Sequence, residues 1–195
     1  MTLMRQLMIS AAAGAAILAV GAPAMAKTAP AAAQAAEQKI TEADVIAAQN
    51  AWGKALVQIA TEYDNNGAAA AKKVAEAVID GAYGYNLGPV LFKPTLAAPP
   101  TTFRTTREGA LAYFVGGDAK YPGDTGFALK GWRAYEIKNA GILIFGDTAI
   151  SMGNVRITDS KGAVTVVDKT WGYHRDDKGA LRIVLHHSSL PYSAN

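Results

Sequence analysis

The second half of this chain is a run of strands joined by short turns, and that pattern restricts the fold more than any motif. Apolar and strand-favouring residues dominate Trp132 to Lys138, Ile142 to Phe145, Thr148 to Thr158, Val164 to His174 and Leu181 to Ser189. Between them lie Asn139-Ala140-Gly141, Asp159-Ser160-Lys161-Gly162 and Asp176-Asp177-Lys178-Gly179, all rich in turn formers. Connections this short reverse the chain, because parallel neighbours need a crossover of a dozen or more residues. An antiparallel meander is the expectation.

The first half reads as helices. Thr41-Glu42-Ala43-Asp44 is a capping sequence, and Val45, Trp52, Leu56, Ile59 and Tyr63 follow as one amphipathic stripe. Asp64-Asn65-Asn66-Gly67 should end that helix. A second runs from about Ala68 to Asp80 with Val74, Ala77 and Val78 inward. Pro89 to Phe92 suits a short strand. Thr105 or Thr106 can cap a third helix, with Leu111, Phe114 and Val115 buried and Gly116-Gly117 as its exit. Helices followed by a run of strands argue an α+β fold, with helices packed on the concave side of a curved, mostly antiparallel sheet. A pocket is expected between the two layers.

Residues 1–26 read as a signal peptide. Arg5 is followed by an Ala-rich apolar run from Leu7 to Val20, and Ala24-Met25-Ala26 supplies an A-x-A cleavage pattern. A single Arg excludes a twin-arginine signal. Export to the periplasm is expected, or secretion in an organism without an outer membrane, and no membrane segment is expected after cleavage. Residues 27–39, rich in Ala, Pro and Gln, read as a disordered lead, leaving residues 40–195 as one domain. Without the leader, 18 basic residues face 16 acidic ones, which gives no footprint for nucleic acid. The absence of cysteine excludes thiolate nucleophiles, iron–sulfur clusters and cysteine-held zinc.

Two of the three histidines stand together in Leu185-His186-His187-Ser188-Ser189-Leu190-Pro191. Side chains alternate along a strand, so His186 and Ser188 share one face while His187 and Ser189 take the other. Adjacent strand histidines therefore diverge. His174 should pair near Leu181, on the order of 15–20 Å from His186 along the ladder. A three-histidine metal site does not fit that geometry. A Ser-His pair could be a nucleophile and its base, but there is no G-x-S-x-G elbow and no obvious orienting Asp. The bland alternative is a strand end whose polar groups bond to loops, and the residues alone leave both open. No phosphate-cradling spacing is present. Most aromatic residues read as core. Tyr113 sits at the edge of its helix's apolar face, where a phenol can reach a cavity. In Lys93-Pro94-Thr95 the proline holds Lys93 extended and fixes Thr95 just after a strand.

Four segments together resemble a known family. They are Val90-Leu91-Phe92-Lys93-Pro94-Thr95-Leu96-Ala97, Tyr113-Phe114-Val115-Gly116-Gly117, Gly126-Phe127-Ala128 and Leu185-His186-His187-Ser188-Ser189-Leu190-Pro191-Tyr192. They look like the iota class of carbonic anhydrases, in particular its cysteine-free branch that works without a metal. Other members carry three consecutive histidines before the serines; here Leu185 holds the first of those places. The resemblance spans about Ile40 to Ser193. It implies an NTF2-like cone related to the calmodulin-kinase association domain, often a homodimer through its sheet. It also implies reversible hydration of carbon dioxide to bicarbonate, with no cofactor and no metal. The family's pocket residues carry over to Thr95, Tyr113, His186 and Ser188 as catalytic groups, with Thr95, Tyr113 and Ser188 binding bicarbonate. On this reading the three hydroxyls position water and substrate oxygens. His186, the nearby group that titrates near neutrality, is the expected base or shuttle, unless a depressed pKa gives that role to Tyr113. The competing expectation is an exported NTF2-like domain that binds a small ligand without turnover. A further rival, an isomerase or dehydratase, lacks an Asp set in an apolar run.

Overall fold

The computed structural model describes residues 39–193. The expected leader and all of the Ala-rich lead except Lys39 lie outside these residues. Among the described residues no helix is long and apolar enough to cross a membrane.

Helix α1 (Glu42–Ala82) begins in a full capping box. The Thr41 hydroxyl accepts from the Asp44 amide at 3.2 Å, and the Asp44 carboxylate accepts from the Thr41 amide at 2.9 Å. Such a cap contributes about 1 kcal/mol. Val45, Trp52, Leu56 and Ile59 are buried as the spacing predicts, while Tyr63 is exposed. The expected break is a kink rather than a loop: Gly67 alone leaves helical geometry, with φ 80°. Beyond it the buried residues are Ala71, Ala75 and Ile79, not Val74, Ala77 and Val78. The buried positions recur every four residues, and Val74 and Val78 lie half-buried at the edge of that stripe while Ala77 is exposed.

After α1 come strand β1 (Leu91–Lys93), helix α2 (Arg107–Val115), a single 3-10 turn (Phe127–Leu129), and strands β2 (Trp132–Phe145), β3 (Thr148–Asp159), β4 (Val164–Arg175) and β5 (Leu181–Ser189). The sheet order is β1-β5-β4-β3-β2. Strands β2 to β5 form the antiparallel meander, and β1 adds to β5 in parallel. On α2, capped by Thr106, Tyr113 and Phe114 are buried while Leu111 and Val115 are only half-buried.

One expected turn is absent. Asn139-Ala140-Gly141 does not reverse the chain; β2 runs through it with a bulge between Asn139 and Gly141. Two contacts account for this. Asn139 and Gln49 of α1 exchange reciprocal amide hydrogen bonds at 2.8 Å, and Gln49 also donates to Ser151 at 3.0 Å. Across the ladder, Gly153 leaves room for the bulged backbone: a Cβ there would lie 2.1 Å from the Lys138 carbonyl oxygen. A local Asn-x-Gly signal thus became a bulge because tertiary contacts hold both sides of it.

A further bulge lies in β5, where Val184 is the extra residue opposite Gly172 and Tyr173 of β4. Leu185 pairs with Gly172, and Ile183 pairs with Tyr173. It brings Ile183 to the buried face upstream of the histidines.

Candidate active site

The inner face of the sheet is built in transverse rows. Phe92 pairs with His186, and His186 with Trp171, so three rings from β1, β5 and β4 lie side by side. Phe92 stacks on the imidazole at 4.5 Å between centroids and 14° between planes. Trp52 of α1 meets it edge-on at 5.6 Å. In the next row Ser188 pairs with Lys169. The alternation is as expected: His186 and Ser188 are buried, whereas His187 is exposed and Ser189 half-exposed.

Thr95, Tyr113 and Ser188 come together at the end of β1. The Thr95 and Ser188 hydroxyl oxygens are 2.6 Å apart. The Leu96 amide donates weakly to the Tyr113 hydroxyl at 3.4 Å. Tyr113 is held by Phe127, stacked at 5.4 Å, and by Phe92, edge-on at 5.7 Å. The loop carrying Thr95 is tied at both ends. Lys93 Nζ donates to the Ser188 carbonyl at 2.9 Å, and the Arg104 amide donates to the Phe92 carbonyl at 2.8 Å. Arg104 itself forms a buried pair with Asp124 at 2.9 Å, an ion pair whose disruption would leave an uncompensated charge. Burial pushes the Tyr113 phenol up to about 12, against the opposing pull of the Leu96 and Thr95 hydrogen bonds. The hydroxyl is therefore a donor at neutral pH, not a base.

His186 lies on the same face but its ring nitrogens are taken up elsewhere. Nδ1 is 2.9 Å from the Tyr83 hydroxyl, which also accepts from Trp52 Nε1 at 3.2 Å. Nε2 is 2.7 Å from Lys169 Nζ. Burial, with the Lys169 and His187 charges adding to it, holds the imidazole well below its usual pKa. Burial also brings Lys169 down to about 7. The side chain of Lys169 is enclosed by aromatic faces, its Nζ 4.4 Å from the Trp52 ring centroid and 5.6 Å from that of Trp171. Beside Tyr83 a small void of about 10 Å³ is lined by Trp52, Leu56, Ile59, Ile79 and Phe114, all apolar.

Trp52 is expected on the buried stripe of α1 though not beside the site, and Lys169 and Tyr83 are not singled out by their sequence positions. For Lys169 a signal exists: in Val167-Asp168-Lys169-Thr170-Trp171-Gly172-Tyr173 it has the phase of Val167, Trp171 and Tyr173, all buried. A lysine in the inward phase of a strand is anomalous. For Tyr83, at the exit of α1, we find no such signal.

The three histidines do not converge. His174 pairs with Arg182 and lies 3.9 Å from Asp147 on the partly exposed rim. Among the described residues no group of three or more His, Cys, Asp or Glu gathers in one place.

Helices on one face of a five-stranded, mostly antiparallel curved sheet, with a hydroxyl cluster between the layers, define an NTF2-like α+β protein. Residues 43–190 match the family model for metal-independent carbonic anhydrase, and the chain belongs to that family. It is 66% identical, over 153 residues, to a metal-independent carbonic anhydrase of Nostoc sp., covering 78% of this chain and 75% of that one. A crystal structure of a cyanobacterial iota-carbonic anhydrase complexed with bicarbonate is 64% identical, with a TM-score of 0.80, covering 80% of this chain and 96% of that one. A calcium/calmodulin-dependent kinase II association-domain protein of Xanthomonas campestris shares the fold at 22% identity and a TM-score of 0.51, covering 80% and 91%.

Proposed function

We propose that Thr95, Tyr113 and Ser188 form the rim where this iota-class, metal-independent carbonic anhydrase converts carbon dioxide and water to bicarbonate and a proton, with His186 in the proton path. The observation that carries this reading is the 2.6 Å contact between the Thr95 and Ser188 hydroxyls beside the Tyr113 phenol. Each hydroxyl can both donate and accept, so the pair can fix a water and still donate to an oxygen. Tyr113, kept protonated by burial, donates to the oxygen on which negative charge grows as water attacks carbon. Phe92, Phe114 and Phe127 give that rim apolar walls suited to carbon dioxide. The bicarbonate bound in the cyanobacterial relative supports the same occupant here.

His186 is neutral at pH 7, because its pKa is depressed. It can accept a proton only transiently and must share it with a neighbour. Stopped-flow carbon dioxide hydration is the test. Tyr113→Phe and Ser188→Ala should each lower kcat/KM by about 10²–10³-fold, the usual effect of removing one oxyanion donor, with folding intact. Full activity in both variants would remove these residues from the site.

We also propose export and dimerisation. The Arg5, Leu7–Val20 and Ala24-Met25-Ala26 pattern supports cleavage before Lys27 and a periplasmic mature chain, which N-terminal sequencing of the fractionated protein tests. On the outward sheet face, Leu143, Ile150, Gly172, Leu185 and Leu91 line one transverse row, with Met152 and Phe145 exposed beside it. An apolar stripe of this kind supports a homodimer through the sheet. Ile150→Arg should convert a dimer to a monomer by light scattering; a wild-type monomer at micromolar concentration would contradict it.

A further inference from the structure

A lysine with no carboxylate partner, closed in among aromatic rings, needs an explanation. Lys169 is 3% exposed, and among the described residues none of the ion pairs includes it. A buried, unpaired ammonium costs several kcal/mol, and an amine far less. The surroundings are not hostile to charge altogether. The faces of Trp52 and Trp171 attract a cation and repel an anion, so a proton can be held there while a carbamate is disfavoured. The site thus favours a group that alternates between amine and ammonium.

We infer that Lys169 is the proton acceptor of the hydration step, oriented by His186 and facing the hydroxyl rim across the β4–β5 ladder. The inference rests on the rim assigned above. Lys169 is the register partner of Ser188, and directly opposed side chains have Cβ atoms about 4.5–5.5 Å apart. An ammonium can only donate, so the 2.7 Å contact requires His186 Nε2 to accept and Nδ1 to carry the proton toward the Tyr83 oxygen. The same imidazole tautomer serves the amine, which donates one N–H to Nε2 and turns its lone pair elsewhere. Ser188 is its register partner across the ladder, so the transfer requires the amine to swing from His186 toward the Ser188 hydroxyl. As water attacks carbon, its O–H bond breaks and the proton passes to Ser188 Oγ while the Ser188 proton moves to Nζ. The balance is CO2 + H2O + Lys-NH2 → HCO3− + Lys-NH3+, and transfer to buffer restores the amine. Other titratable groups around the pair are Tyr83 at the end of α1, Tyr113 on α2 and Tyr173 on β4, all with raised pKa values and neutral near pH 7, and His187 on the outer face of β5, whose charge adds to the depression at His186. From β3 the neighbour of Lys169 is Gly153, which presents no side chain. With no acid to hold the proton, burial lowers the lysine pKa into the range a proton acceptor needs.

The test is carried out on the intact mature chain. Lysine labelled with ¹³C at Cε is titrated by NMR, and kcat/KM for hydration is followed from pH 5.5 to 10. One lysine signal, lost in Lys169→Met, should titrate near neutrality, and the rate should rise with the same midpoint. Lys169→Met and Lys169→Arg should lose about 10²-fold or more in hydration, the range for a positioned base. Lys169→Ala should regain at least tenfold with added ethylamine. A Lys169 signal titrating above pH 10, or variants within threefold of wild type with an unchanged pH profile, would overturn the inference. Should the variants fail to fold, the wild-type titration and pH–rate midpoint still decide. Loss of activity in Tyr113→Phe and Ser188→Ala alongside active Lys169 variants would sink this inference alone; active rim variants would sink the rim.

Discussion

The hydroxyl rim and the aromatic interior behind it sit on the same face of β5, two residues apart, yet they solve opposite problems. Thr95, Tyr113 and Ser188 are neutral groups that donate and accept hydrogen bonds. His186 and Lys169 are bases stripped of counterions and packed among Phe92, Trp52 and Trp171. The rim can stabilise charge as it appears on the substrate, and the interior can take the proton that must leave. A zinc-dependent enzyme combines both tasks in one metal-bound water. On the proposed reading they are divided between the hydroxyl rim and the His186–Lys169 pair beside it.

The comparison can be broken most severely in the interior. Phe92→Ala should cost about 3–5 kcal/mol of stability, because the ring is buried and supports the imidazole face; chemical denaturation measures it. Next come the rim variants. Tyr113→Phe and Ser188→Ala should keep the wild-type unfolding midpoint within a few degrees while losing about 10²–10³-fold in hydration. If stability fell and specific activity did not, the rim would be structural.

A pH titration of stability sets the buried bases apart from the neutral rim. The folded-state pKa of Lys169 is depressed to about 7, whereas the unfolded chain takes up its proton below about 10.4. Between those values the unfolded state binds more protons, so unfolding free energy should rise with pH across roughly 7 to 10. The total is on the order of a few kcal/mol. His186 acts in the same sense at lower pH: stability falls as pH drops from about 6.5 toward its depressed folded value. Lys169→Met should flatten the upper slope and weaken the lower one by the part that the Lys169 charge contributes, leaving the part due to burial; an unchanged upper slope would mean that the lysine stays charged in the fold. The smallest effect belongs to His187, exposed on the opposite sheet face. His187→Ala should change hydration less than twofold and stability by no more than about 0.5 kcal/mol.

Much of this organisation could be read from the residues. Alternation alone separates His186 and Ser188 from His187, and Thr41, Thr106 and the Asp-x-x-Gly turns mark their elements. Three things were not local. The bulge at Asn139 depends on Gln49, ninety residues away in sequence. The parallel pairing of β1 with β5, which brings Thr95 to Ser188, leaves no periodic signal in either strand. The third is the partnership of Lys169 with His186, which exists only because β4 and β5 are in register. The lysine's inward phase was visible; what it faced was not.

The most direct measurement is stopped-flow carbon dioxide hydration by the mature chain after exhaustive chelation, run beside Ser188→Ala of equal thermal stability. Undiminished wild-type turnover with at least a hundredfold loss in the variant is the expected result. Activity that vanished with the chelator and returned with added metal, or a variant as fast as wild type, would contradict the account.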